Sequence, residues 1–394
     1  MRVVGIVCEY NPFHRGHALH LARAREAAGA DYAVCVMSGA LTQRGMFARH
    51  DKWTRARAAL ECGADLVLEL PARFACAPAP EFAAGGAAML RGLGVVTHWA
   101  FGCEPEALAC LTDAAQVLQS EPPAFRAALR AGLDSGLSYP RARALAAERA
   151  LSRPGLADAM ALPNAALALE YLRAMPGGVT PLPIPREGAG YHDGTLCALA
   201  SASAVRAALE RGETQAALSA LPCPERFAEA EARGDVHESE ALTQALLYRL
   251  RTAPPEALAQ LSGMGEGLEH AFAAAAGRVH TRDALILSVK SKRYTYARLS
   301  RICSMALLGV TREFAERHAE PACARVLGFR RDAQPLLAAI KRQGTLPLVT
   351  KVLRRADDPL IALDVAAQDL WSLGCTNPAL RQTGRDFSTP PVIV

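Results

Sequence analysis

The sequence predicts an α/β protein, a doubly wound parallel sheet followed by a mainly helical domain. Three observations carry that reading. Apolar runs of five to seven residues alternate with segments of helical composition over the first half of the chain, the pattern of a parallel sheet covered on both faces. The polar and glycine-containing loops follow the runs, which places them at the carboxyl ends of the strands, where open α/β sheets bind ligands. Beyond about Pro222 strand-like runs mostly disappear. At 394 residues the chain exceeds the usual single-domain size. The expected division is residues 1–221 and residues 222–394.

The first run, Val3 to Cys8, turns at Glu9-Tyr10-Asn11-Pro12-Phe13, and His14-Arg15-Gly16-His17 opens a helix that Gly29 can close. Asp31 to Met37 reads as a second strand, Asp51 to Cys62 as a helix and Leu66 to Leu70 as a third strand. A helix near Pro80 to Leu93 and a strand near His98 to Phe101, ending at Gly102, follow. Residues 121–150 have helical periodicity, Pro163-Asn164 opens a helix carrying Glu170 and Tyr171, and Thr180 to Ile184 reads as one more strand. A polar loop from Arg186 to Asp193 precedes Ser201-Ala202-Ser203-Ala204-Val205-Arg206, which starts another helix.

Two imidazoles separated by one residue and a glycine, at a strand-to-helix junction, face one small volume at the positive end of a helix dipole. That place suits a polyphosphate. His14 and His17 would stabilise charge developing there when an α-phosphate is attacked, and Gly16 lets a nucleotide approach the backbone. Ser201, Ser203 and Arg206 fit a second phosphate contact, although serines at a helix start also serve as plain caps.

The formal charge of +5 is modest, but its distribution is uneven. Residues 277–301 hold Arg278, Arg282, Lys290, Lys292, Arg293, Arg298 and Arg301 against Asp283 alone, with Tyr294 and Tyr296 among them. Aromatic rings among cations suit an RNA with unstacked bases; the competing reading is a solvated helix face. A second basic stretch runs from Arg325 to Arg355. The 11 cysteines are scattered and never form C-x-x-C, which argues against a disulfide framework or a structural zinc site, and no metal site is expected. No apolar run reaches membrane-spanning length and no secretory leader is evident, so a cytoplasmic protein without a membrane partner is expected.

Taken in order, several blocks resemble the bacterial tRNA(Met) cytidine acetate ligases, members of the H-x-G-H nucleotidyltransferase superfamily. They are GIVCEYNPFHRGH at Gly5 to His17, MSG-x-x-x-QRG at Met37 to Gly45, DKWTRARAAL at Asp51 to Leu60, GADLVLELP at Gly63 to Pro71 and FGCE at Phe101 to Glu104. Further along come Pro163-Asn164, Glu170-Tyr171, the GYHD loop, SAS-x-x-R, KRYTYARLSRI at Lys292 to Ile302 and RVLGF at Arg325 to Phe329. The resemblance implies a nucleotidyltransferase-like Rossmann domain that activates acetate with ATP and Mg2+, then acetylates N4 of the wobble cytidine of elongator tRNA(Met). It implies that His14 and His17 are catalytic. Nucleotide contacts would come from Val7, Cys8, Glu9, Tyr10, Asn11, Pro12, Phe13, His14, Gly16, His17 and His20. Gly102, Asn164, Arg186, Glu187, Ser201, Ser203 and Arg206 would complete them, and Lys290, Lys292, Arg293, Arg298 and Arg301 would hold the tRNA. The sequence departs from the family at Ala40-Leu41-Thr42 and at Arg15. Two alternatives stand beside this reading, a small-molecule adenylyl- or cytidylyltransferase and a non-catalytic tRNA-binding protein with a degenerate nucleotide site. An aminoacyl-tRNA synthetase is disfavoured because no K-M-S-K-S-like block is present.

Overall fold

The computed structural model describes residues 1–185 and 200–394 and is built on one eight-stranded sheet. Its strands are β1 (Val3–Cys8), β2 (Tyr32–Ser38), β3 (Leu66–Leu70), β4 (His98–Cys103), β5 (Thr180–Pro185), β6 (Ala324–Phe329), β7 (Leu348–Val349) and β8 (Val392–Ile393). They lie in the order β5-β4-β1-β2-β3-β6-β7, with β8 against β6. The first five are parallel: Ile6 pairs with Cys35 on one side and Ala100 on the other, and β5 continues in register beside β4. The inner strands β1 to β4 are largely apolar on both faces because each face is covered. Val3, Val7, Val34, Val36, Leu66 and Leu68 pack into one core, and Val4, Ile6, Cys35, Met37 and Val67 into the other.

The helices that build the site are α1 (Arg15–Ala28), α2 (Lys52–Glu61), α3 (Ala79–Gly92), α4 (Pro163–Ala174), α5 (Ala202–Glu210), α6 (Pro224–Arg233), α7 (Arg282–Val289), α8 (Tyr296–Leu308) and α9 (Pro359–Leu373). Helices α1, α2, α5 and α6 cover one face of the sheet, and α3 and α4 the other. The chain steps from β1 through β2 to β3, then crosses back to β4 and β5 on the far side of β1. The reversal opens a crevice between the carboxyl ends of β1 and β4, the usual ligand position in such a sheet. Helices α7 and α8, with Thr243–Thr252 and Leu268–Ala276, enclose a separate core around Leu246, Phe272, Leu285, Ile286 and Ile302.

The second basic stretch needs correction. Its first residues form β6, antiparallel to β3, and Arg325 is buried there rather than offered to a nucleic acid. Its guanidinium meets Glu69 at 2.9 Å and also pairs with Asp386, so the charge is spent inside the protein. The tail beyond residue 383, on which the sequence is uninformative, folds back: Asp386 is buried and β8 pairs with β6.

Candidate active site

β1 ends in the core at Val7 and Cys8, and the following loop is set from below by buried Tyr10 and Phe13. Tyr10 adopts the left-handed conformation at φ 51°, uncommon for a bulky residue. Its ring is held 4.7 Å from Phe13 and 4.9 Å from His17. Asn11, joined to Pro12 by a cis peptide bond, accepts the Arg49 N–H on Oδ1 at 3.0 Å and the Arg206 guanidinium on its carbonyl at 2.6 Å.

His14 is the N-cap of α1, and the two histidines form a reciprocal capping box. The Gly16 N–H donates to His14 Nδ1 at 3.1 Å, and the His14 N–H donates to His17 Nδ1 at 3.3 Å. Because each Nδ1 accepts, each neutral ring carries its proton on Nε2. The rings lie 3.7 Å apart, so two Nε2–H donors stand together at the amino end of a 14-residue helix. A Cβ on residue 16 would come within 2.9 Å of the His14 ring, so glycine lets the cap close as well as letting a ligand approach. His20, one turn along α1, is half-buried.

Across the crevice, half-buried Gly102 precedes Cys103, the last residue of β4, and Glu104 ties that strand end to α4. Glu104 accepts from the Asn164 N–H at 3.2 Å, from Asn164 Nδ2 at 2.7 Å and from the Ala165 N–H at 2.7 Å, which orients the Asn164 amide. The sequence signal for Glu104 was its place in FGCE, but its partner could not be read from one dimension. Ser201 caps α5 through the Ala204 N–H at 3.1 Å and lies 3.0 Å from the Ser203 hydroxyl. The plain-cap reading of Ser201 is therefore realised, and Arg206 turns from the same helix to the loop after β1. Arg186 and Glu187 lie outside the described residues.

The wall between β1 and β2 was the part sequence reasoning missed. Arg55, fully buried in α2, donates to the carbonyls of Glu9 at 2.7 Å, Ser38 at 3.0 Å, His50 at 3.0 Å and Gly39. Burial pulls its pKa down to about 10, leaving it charged at neutral pH. The sequence signal for Arg55 was its place in the DKWTRARAAL block, on a helix face it shares with buried Lys52. Half-buried Glu9 accepts the Gln43 N–H at 2.5 Å. Burial raises its carboxyl above the usual range, against the pull of the Gln43 N–H and of Arg206, Arg44 and Arg55.

The chain matches the family model for HIGH nucleotidyl transferases over residues 1–386. It is 34% identical to the tRNA(Met) cytidine acetate ligase of Acetivibrio thermocellus, with the whole of both chains covered. To that of Syntrophomonas wolfei it is 36% identical, covering all of this chain and 99% of the relative. The chain belongs to the tRNA(Met) cytidine acetate ligase family. Its fold agrees with that of Thermotoga maritima TmcAL bound with alpha-thio ATP, at a TM-score of 0.93, 30% identity and full coverage of both chains. The apo form gives 0.94 and 31%, again with full coverage.

In this member of the acetate ligase family the basic segment divides into outward and inward residues. Lys290, Lys292 and Arg293 are exposed. Arg293 and half-buried Arg298 flank the Tyr294 ring at 5.7 and 5.0 Å and share Glu266 as an ion-pair partner at 2.8 and 3.6 Å. Arg282 and Arg301 instead turn inward to the loop after β2. The Gly45 carbonyl accepts from Arg282 at 2.6 Å, Ser300 at 3.0 Å and Ser304 at 2.8 Å, and Arg301 donates to the Gln43 carbonyl at 3.1 Å. Gly45 has φ 76°, and any Cβ there would run into the α8 backbone. The MSG-x-x-x-QRG and KRYTYARLSRI blocks are thus packing partners.

Proposed function

We propose that this protein activates acetate with ATP as acetyl-adenylate, releases pyrophosphate, and transfers the acetyl group to N4 of the wobble cytidine of elongator tRNA(Met). The observation that carries it is the pair of Nε2–H donors at the head of α1, inside the switch-point crevice of a chain that matches the acetate ligases end to end. A free carboxylate is a poor electrophile and the exocyclic amine of cytosine a poor nucleophile, so the acetyl group needs a better leaving group, and AMP is one. As the acetate oxygen attacks the α-phosphate, negative charge grows on the phosphate oxygens and on departing pyrophosphate. Preorganised donors stabilise that charge more than they stabilise ground-state ATP.

On this reading His14 and His17 meet the phosphates, while Gly102 and Asn164 flank the nucleotide and Arg206 braces the loop. Mg2+ accompanies ATP on its phosphate oxygens. Among the described residues no three His, Cys, Asp or Glu side chains converge to hold a metal, and no step here passes through the ion. Exposed Lys290, Lys292 and Arg293, with Arg298, receive the tRNA. The division of labour falls near residue 221, nucleotide chemistry before it and RNA recognition in the helices after it. No helix among the described residues is long and apolar enough to cross a membrane, and a tRNA substrate places the enzyme in the cytoplasm.

The test is incubation of the purified protein with radiolabelled acetate, ATP and bulk tRNA. AMP and pyrophosphate should appear, with label on a cytidine. Formation of ADP, or label arriving only from acetyl-coenzyme A, would overturn the adenylate mechanism.

A further inference from the structure

The second half-reaction needs a proton acceptor. When the N4 amine attacks the acetyl carbon, an N–C bond forms, the bond from that carbon to the phosphate oxygen breaks, and AMP leaves with the electron pair. The amine must also shed a proton. The crevice histidines are poorly suited to take it, because each Nδ1 accepts a backbone N–H and each Nε2 already carries hydrogen. Among the described residues, three carboxylates lie on or just past the carboxyl ends of the five parallel strands. Glu69 is 2% exposed and bound by Lys52 and Arg325. Glu104 accepts three hydrogen bonds from the head of α4. Glu9 remains.

We propose that Glu9 is the catalytic base that takes the N4 proton during acetyl transfer to cytidine. The assignment rests on the ligase reading above and adds a residue role to it. Two features favour it besides elimination. Glu9 is on the same loop as His14, which on the ligase reading meets the one phosphate that carries the acetyl group. It is also held from the RNA side, since Gln43 donates to its Oε1 while Arg301 and Arg282 of the basic segment fasten the Gln43–Gly45 loop. The carboxylate therefore lies where the loop braced by the RNA-facing helices meets the nucleotide crevice. Its partial burial strengthens it as a base relative to an exposed glutamate, with Arg44, Arg55 and Arg206 keeping the anion accessible. Arg301 is then a positioning residue, acting on Glu9 through Gln43.

The test is Glu9→Gln, which preserves shape and an acceptor for the Gln43 N–H but removes the basic carboxylate. Acetate-dependent ATP–pyrophosphate exchange without tRNA, which senses any contact of Glu9 with the nucleotide, should fall far less than the transfer step does. Single-turnover transfer from enzyme-bound acetyl-adenylate to tRNA should fall by about 10²- to 10⁴-fold, the usual contribution of a positioned base. Exchange also reports that the variant is folded, and a melting curve checks this independently. Transfer at the wild-type rate overturns the proposal, and so does an equal loss in both steps or a variant that fails to fold, each of which would make Glu9 a structural or nucleotide-binding residue. Absence of exchange in the wild-type protein would instead strike at the ligase reading itself.

Discussion

His14 caps α1 through Nδ1 and, on the proposed reading, offers its Nε2–H to the phosphates, so stability and chemistry would ride on one ring and can be separated. His14→Asn supplies a side-chain oxygen as cap acceptor in place of Nδ1; His14→Ala leaves no acceptor. Both should lower acetyl-adenylate formation by on the order of 10²-fold or more, the effect of losing one preorganised donor. Only the alanine variant should also lose about 1 kcal/mol of stability, the usual worth of an N-cap. Adenylate formation at the wild-type rate in His14→Asn would sink the phosphate role, whatever the melting curves show. The H-x-G-H residues were legible because their chemistry depends on spacing along one strand-to-helix turn. Arg55 and Glu104 were not, because, His50 apart, their partners lie 16 to 61 residues away and only the folded sheet brings them together.

At the scale of elements, composition marks the basic segment but cannot say which way each cation points. In residues 277–301 the outward set is Lys290, Lys292 and Arg293, while Arg282 and Arg301 cross to the Gln43–Gly45 loop because α8 packs its backbone directly on Gly45. Replacing Lys290, Lys292 and Arg293 by glutamine should flatten the dependence of log tRNA affinity on log salt by roughly 0.7 to 0.9 per lost phosphate contact, and leave ATP binding intact. Arg301→Gln should do the reverse, keeping the salt slope and lowering acetyl transfer from bound adenylate to tRNA by on the order of tenfold through a displaced loop. Filter binding over a salt series and single-turnover transfer decide between these, and equal slopes for both variants would return the whole segment to a solvated face. Another joint predicts a pH effect. His237 stacks 4.7 Å from Phe47 and donates through Nδ1 to the Trp371 carbonyl at 2.9 Å; burial pulls its pKa from 6.5 to about 4. Between those values the unfolded chain binds the proton and the folded one does not, so stability falls as pH drops from about 6.5 to 4. The loss should reach about 3 kcal/mol, at 1.36 kcal/mol per pH unit, and His237→Gln should flatten it in urea titrations.

The molecule as a whole is closed by a buried ionic cluster that no linear reading could assemble, because its members come from α2, β3, β6 and the tail. Lys52 holds Glu69 at 2.8 Å and Asp386 at 2.7 Å, and Arg325 bridges the same two carboxylates. Beside the cluster, burial and the neighbouring Glu69 push the Asp364 carboxyl well up. Within the cluster itself two cations face two anions. Five parallel strands could be read from their apolar runs, but β6 could not, since its leading arginine looks solvent-bound until Glu69 and Asp386 are seen around it. Removing Asp386 alone leaves one buried positive charge uncompensated, which should cost about 3 to 5 kcal/mol. Asp386→Ala, or loss of residues 384–394, should therefore shift the urea midpoint sharply or leave the chain insoluble. Replacing Arg325 and Asp386 together by Met and Leu restores charge balance around Lys52 and Glu69, so the double variant should be more stable than Asp386→Ala. Measured midpoints that simply add the two single losses would show that the cluster acts through packing and not through charge.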